Sequence, residues 1–298
     1  MSQPTATRYP HSLYLAQGRL AALSWGRDAA PTWLALHGWL DNAASFSRLA
    51  PLLVEALDIR IVAIDFRGHG HSAHAAAGED YALWDYCHDV LDAMDDLAIE
   101  RVALLAHSMG AAVACLLAAA VPERIEFMTL LDGLGALNTP SGDTTSQLRK
   151  GLMAHRRPIS RAPRYPDLAT AVAARVAGGV TPLDTITATP LVERNADVTA
   201  DGHVQMRTDS RLLKPSLVRF TPSQVLALLA DIQAPVLLIE GEEGILGKRD
   251  WAEKARQAVP HLTRHVLAGG HHLHLEPKAV SGVAEVMTQS LMKRRDQS

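Results

Sequence analysis

Ser108 stands in Ala106-His107-Ser108-Met109-Gly110, between the apolar run "LLA" and a long alanine-rich stretch. A serine set where a strand turns sharply into a helix exposes its hydroxyl. Such a turn needs small residues two positions away on each side, because the two backbones pass close together. Ala106 and Gly110 meet that need, with Ala where the G-x-S-x-G pattern has its first Gly. The Met109 amide opens the helix, so its N–H lacks an intrahelical acceptor and is free to face a developing oxyanion. The same five residues also suit an ordinary tight turn with a capping serine, and the rest of the chain has to decide between the two.

Two further stretches bear on that choice. His37-Gly38-Trp39 follows an apolar strand, and Gly38 lets the chain bend so that the Trp39 amide becomes a second oxyanion donor. "AGGHHLHLEP", residues 268–277, gathers His271, His272 and His274. These histidines have no carboxylate at a recognisable metal-ligand spacing, so neither a metal nor another cofactor is expected. A histidine on the loop after the last strand serves instead as general base for a serine hydroxyl, taking its proton and returning it to the leaving group.

The elements that would position these groups are legible in the hydrophobic pattern. Leu13 to Ala16 and Leu20 to Trp25 read as a hairpin, and Trp33 to Leu36, Ile59 to Asp65, Arg101 to Leu105 and Ile125 to Leu131 as further strands. Helical spacing covers Phe46 to Leu57, Trp84 to Leu97 and Met109 to Val121, the last stopped by Pro122. Strands that are apolar throughout imply a sheet covered on both faces, hence a doubly wound α/β fold with a mostly parallel sheet. From about Asn138 the regularity fails until "PVLLIEG" restores it at Pro235; a helix from Trp251 to Val259, a strand from Thr263 to Leu267 and a helix from Val280 to Met292 follow. Residues 1–137 and 223–298 are therefore expected to form the core, and 138–222 an inserted helical cap without a strong strand.

The bulk composition narrows the class. With 298 residues, 48% hydrophobic and 20% charged, the chain is expected to fold as a globular protein. Its net charge of −3 is spread over 29 basic and 32 acidic residues, which gives no footprint for nucleic acid or an anionic membrane. The longest apolar run, Ala111 to Val121, is too short to span a bilayer, and two cysteines make no disulfide framework. A cytoplasmic monomer or homodimer acting on a small molecule is the expectation.

Taken in order, "HGWLDN", "DFRGHGHS", "AHSMG" and "GGHHLHLEP" resemble the α/β-hydrolase superfamily, and within it the chain is similar to the serine hydrolase-like family. The resemblance covers almost all of residues 12–292. It implies that Ser108 is the nucleophile and His271, after Gly270, the catalytic histidine, with His274 a structural histidine. It also implies that Asp65 to Ser72 is a mainly structural loop. Many superfamily members carry the orienting acid in a G-x-x-D sequence, but here that reads Gly241-Glu242-Glu243-Gly244. The other position in use is the end of the strand after the nucleophile helix, where this chain has Asp132 in "LLDGLG". Asp132 is taken as the acid and Glu243 kept as the alternative.

The resulting expectation is a serine hydrolase for a small to medium ester or thioester. The oxyanion donors would be Trp39 and Met109, and the substrate pocket would include His37, Gly38, His107 and Leu134. Two alternatives stay open: the same triad used as a carbon–carbon hydrolase or perhydrolase, and a non-catalytic ligand-binding homologue. Arg156, Arg157, Tyr165 and "MRTDSRLLKPS" in the cap are read either as anion ligands or as surface ion pairs, the latter being preferred.

Overall fold

The computed structural model describes residues 9–159, 161–178, 181–247 and 250–295, so both outer ends of the expected core, 1–8 and 296–298, lie outside the described residues. The strands of the main sheet are β1 (His11–Leu15), β2 (Leu20–Trp25), β3 (Thr32–Leu36), β4 (Arg60–Ile64), β5 (Val102–His107) and β6 (Ile125–Leu131). Three short strands follow in the insertion, β7 (Arg164–Tyr165), β8 (Ala196–Val198) and β9 (Val204–Met206), before β10 (Val236–Gly241) and β11 (Leu262–Leu267) complete the main sheet. The helices are α1 (Leu49–Leu57), α2 (Asp85–Asp96), α3 (Met109–Ala120), α4 (Thr144–His155), α5 (Leu168–Gly178), α6 (Thr185–Arg194), α7 (Pro222–Ala230), α8 (Asp250–Ala258) and α9 (Val280–Arg295).

The main sheet has eight strands in the order β1-β2-β4-β3-β5-β6-β10-β11. The β1–β2 and β2–β4 pairs are antiparallel and the others parallel. The middles of β3, β4 and β5 are continuously apolar because successive residues enter different layers. In β3, Leu34 and Leu36 join the cluster that includes residues of α2, α3, α7 and α8, while Trp33 and Ala35 join the one that includes residues of α1 and α9. In β5, Leu104 and Ala106 go to the first layer and Ala103 and Leu105 to the second. Burying one such leucine contributes about 1.5–3 kcal/mol, so a slip of one residue leaves the layers filled with the wrong side chains.

The strand order places the site. From β3 the chain adds β4 on one side and β5 on the other, so the order of strand addition reverses between the carboxyl ends of the parallel strands β3 and β5. That reversal leaves a crevice no crossover helix covers. His37-Gly38-Trp39 leaves β3 there and Ser108 leaves β5, with Asp132 at the end of the adjacent β6.

The segment between β6 and α7 contains α4, α5 and α6, as a helical insertion requires, and adds a three-stranded antiparallel sheet in the order β7-β9-β8. The insertion thus carries, beside its helices, a small sheet that the sequence reading does not include. Strands of two or three residues, such as Arg164↔Gln205 and Tyr165↔Val204, are defined by backbone pairing across some 40 residues and leave no local period to read. α7 begins at Pro222, with Thr221 and Gln224 forming a reciprocal cap, and packs against α3 and α8.

Candidate active site

Ser108 joins β5 to α3 with φ +51° and ψ −111°, a conformation that a side chain with a Cβ rarely adopts. Holding it costs on the order of 1–3 kcal/mol, and the surrounding packing has to impose it. The imposition is local. The Ser108 N–H donates to the Leu131 carbonyl of β6 at 3.2 Å, and the Gly110 N–H to the His37 carbonyl at 3.0 Å. Gly110 lies so close to β3 that a Cβ there would overlap the Leu36 carbonyl oxygen, which is why the small residue of the motif is required at this position. The Gly110–His37 hydrogen bond also brings the Trp39 turn beside the start of α3.

The Ser108 hydroxyl donates to His271 Nε2 at 2.9 Å, and His271 Nδ1–H donates to Asp132 Oδ2 at 2.6 Å. Asp132 is fully buried and accepts further from the Ile245 N–H at 2.8 Å, while its own N–H donates to the Ile239 carbonyl. Its carboxylate occupies the hollow of the turn after β10. A Cβ on Gly244, the residue at the place of the more common acid, would overlap the Asp132 carboxylate. Glu243 is exposed and reaches the loop through its backbone N–H, which donates to the Gly269 carbonyl at 3.0 Å.

Of the residues expected to line the pocket, His37 and His107 are fully buried and stand behind the site. The Phe66 N–H donates to His37 Nε2 at 3.0 Å, so Nδ1 carries the proton and donates to the Gly38 carbonyl at 2.7 Å. Burial lowers the His37 pKa below the ordinary histidine value and keeps the ring neutral in this role. His107 donates Nε2–H to the His271 carbonyl at 2.9 Å and holds the main chain of that loop. Burial, followed by three neighbouring imidazoles, lowers its pKa well below the usual range. Gly38 and Leu134 are also buried. Trp39 is 39% exposed, and its indole donates to the Leu212 carbonyl of the insertion at 3.1 Å. Met109, at the first position of α3, is half-buried.

His272 and His274 take different parts from His271. His274 is buried with Nε2 2.8 Å from the Ser45 hydroxyl. His272 donates Nε2–H to Asp41 Oδ2 at 2.9 Å. Asp41 sits inside the "HGWLDN" stretch, but a single Asp in a turn gives no sequence signal of such a role. Among the described residues, Asp41, His107 and His272 place one ligand atom each within 4.8 Å of one another, all buried. The Arg175 guanidinium already approaches the same carboxylate at 3.3 Å, and the group fits a hydrogen-bonded network better than a second cation.

The loop after β4 is structural in every contact. Asp65 accepts from the Ala43 N–H at 2.7 Å, the His71 N–H at 2.8 Å and the Arg194 guanidinium of α6 at 2.8 Å. Arg67 pairs with Asp89 at 2.7 Å. Arg207 and Arg211, in the arginine-containing stretch of the insertion, bond the Gly70 carbonyl at 2.8 Å and the Ala76 carbonyl at 2.7 Å. They fasten the insertion to the core. Burial pushes the Cys87 and Cys115 thiols up to about 12, which leaves neither as a thiolate.

A mostly parallel eight-stranded sheet, a strained serine after β5 and an imidazole and carboxylate in line behind it define an α/β hydrolase. The chain belongs to that family: the model described as alpha/beta hydrolase fold matches residues 31–278. It is similar to a serine hydrolase-like protein of Dictyostelium discoideum, 31% identical over 278 residues that cover 89% of this chain and 77% of the relative. The crystal structure of a hypothetical protein from Pseudomonas aeruginosa PAO1 is 41% identical and superposes with a TM-score of 0.85 over 95% of this chain and 99% of that one. A thioesterase domain from the curacin biosynthetic pathway is 25% identical, with a TM-score of 0.80 over 96% and 100% of the two chains.

Proposed function

We propose that this chain is a serine hydrolase that cleaves a small to medium ester or thioester through an acyl-enzyme intermediate. The observation that carries the reading is the unbroken chain Ser108 Oγ to His271 Nε2 at 2.9 Å and His271 Nδ1 to Asp132 Oδ2 at 2.6 Å. Ser108 Oγ attacks the acyl carbonyl carbon while His271 Nε2 takes the hydroxyl proton, and Asp132 stabilises the imidazolium that forms. The Trp39 and Met109 N–H groups face the oxygen that becomes negative. Collapse of the tetrahedral intermediate expels an alcohol or thiol, which leaves with the proton from His271. Water then attacks the acyl-serine, His271 takes its proton, and the carboxylic acid departs with Ser108 restored. The thioester half of the reading is supported by the similarity to a thioesterase domain.

The test is labelling of the folded protein by a fluorophosphonate, followed by mass spectrometry of the peptide containing Ser108. One adduct on Ser108, absent in Ser108→Ala, is expected; a folded wild type that takes up no probe sinks the assignment in favour of a ligand-binding homologue.

A further inference from the structure

The loop carrying His271 is tied to the insertion at two points outside the triad. Leu275, fully buried four residues after His271, packs in the apolar cluster built by Ala171 and Val172 of α5 and Ala188, Leu191 and Val192 of α6. The interior of the insertion therefore closes around a residue of the catalytic loop. The second tie is polar. His272, adjacent to His271, donates to Asp41 Oδ2 at 2.9 Å, and Asp41 Oδ1 accepts from Arg175 of α5 at 3.3 Å.

Asp41 is 2% exposed and closes the turn that bears Trp39, its N–H donating to the Gly38 carbonyl at 3.1 Å. Burial opposes its ionisation, but His272 and Arg175 outweigh burial and hold the carboxyl below the ordinary carboxylate range. One buried anion thus joins the oxyanion turn, the His271 loop and α5. His272 and Arg175 share the compensation of its charge, and unseating Arg175 removes the permanent cation from a buried carboxylate, which is destabilising. On the other side of the loop, His107 grips the His271 carbonyl at 2.9 Å with its Nδ1 3.6 Å from the same Asp41 oxygen. With its ring proton on Nε2, His107 makes no hydrogen bond to that carboxylate, so a shift of Asp41 reaches His271 through His272.

Resting on the reading of His271 as general base, we propose that Arg175, Asp41 and His272 form a positioning relay by which the seating of α5 sets the alignment of His271 with Ser108. None of the three touches the reacting atoms. Their effect is to make the catalytic geometry complete only when the insertion is closed on the core.

The relay is tested on the full chain with Arg175→Met, Arg175→Lys and Asp41→Asn, using a short-chain aryl ester. Arg175→Met is expected to lower kcat by about tenfold to a hundredfold, the range that a misplacement of about 1 Å produces, with KM little changed. Arg175→Lys restores most of kcat, and Asp41→Asn repeats the loss from the core side. The double variant loses little more than either single one, because both cut the same path. A readout that needs no substrate is the far-downfield proton resonance of the His271–Asp132 hydrogen bond. It is expected to be sharp in wild type and Arg175→Lys and broadened in Arg175→Met and Asp41→Asn. Wild-type kcat and an unaltered resonance in a folded Arg175→Met or Asp41→Asn variant overturn the relay. A wild type that neither turns over the ester nor reacts with fluorophosphonate overturns the hydrolase reading instead, and the resonance alone then decides the relay.

Discussion

Asp132 and Gly244 compete for one volume. The carboxylate of Asp132, reaching from the end of β6, fills the hollow that a side chain at 244 would enter from the turn after β10. A carboxylate from one position therefore requires a residue without a side chain at the other, and Gly241-Glu242-Glu243-Gly244 is the complement of Asp132 rather than a damaged acid motif. The left-handed Asp132 backbone, φ +41°, turns its side chain into that hollow. Asp132→Asn is expected to lower kcat by about 10^4, because an amide no longer fixes the His271 tautomer or stabilises the imidazolium. Glu243→Gln, at an exposed site, leaves kcat near wild type. Steady-state turnover of an aryl ester by the two variants checks this, and the opposite ranking would move the acid to the later turn.

At the scale of elements, the insertion is held by arginines that end on core acceptors. Arg194 of α6 reaches Asp65, which is fully buried, with two contacts from Nε and one from Nη2. Arg194→Met leaves that carboxylate with the Ala43 and His71 N–H donors but no cation, and a stability loss of about 3 kcal/mol is expected. Urea unfolding measures it; a loss within experimental error would mean that Arg194 is a surface contact. The legibility of these elements in the sequence follows their physics. β3 to β6 are readable because both faces are buried and their apolar runs end where the crevice begins; β5 runs on to His107, past the expected Leu105, because the strand continues into the strained serine. The small sheet β7-β9-β8 is not readable because its strands are only two or three residues long, too short for a period, and β7 joins β9 from some 40 residues away. Ser108, His271 and the competing carboxylates could be picked out from spacing and resemblance. The parts of Asp41, His272 and Arg175 could not, since a lone Asp in a turn and a lone Arg on a helix acquire meaning only when the insertion folds back.

Across the whole molecule, several histidines are buried and kept neutral inside the protein. Burial pushes His69 down to about 3, and burial likewise lowers His37, His107 and His274 below the ordinary 6.5. In the unfolded chain these rings take up protons near pH 6.5, whereas the folded protein refuses them, so the unfolded state binds more protons throughout the interval between the two values. The stability they contribute is complete above pH 6.5 and declines as the pH falls toward the folded value, about 3 for His69. For His69 alone the slope is about 1.4 kcal/mol per pH unit, and the other buried rings act in the same direction. Ordinary carboxylates titrate about two pH units below histidine, so histidine burial dominates the first part of acid unfolding. Urea unfolding at pH 7, 6 and 5 is therefore expected to give a steadily falling free energy. His69→Gln, which cannot titrate, flattens the decline by about 1.4 kcal/mol per unit below pH 6.5 while lowering stability at pH 7. A wild-type stability that stays level from pH 7 to 5, or a His69→Gln slope identical to wild type, would show that these rings are protonated or hydrated in the folded state.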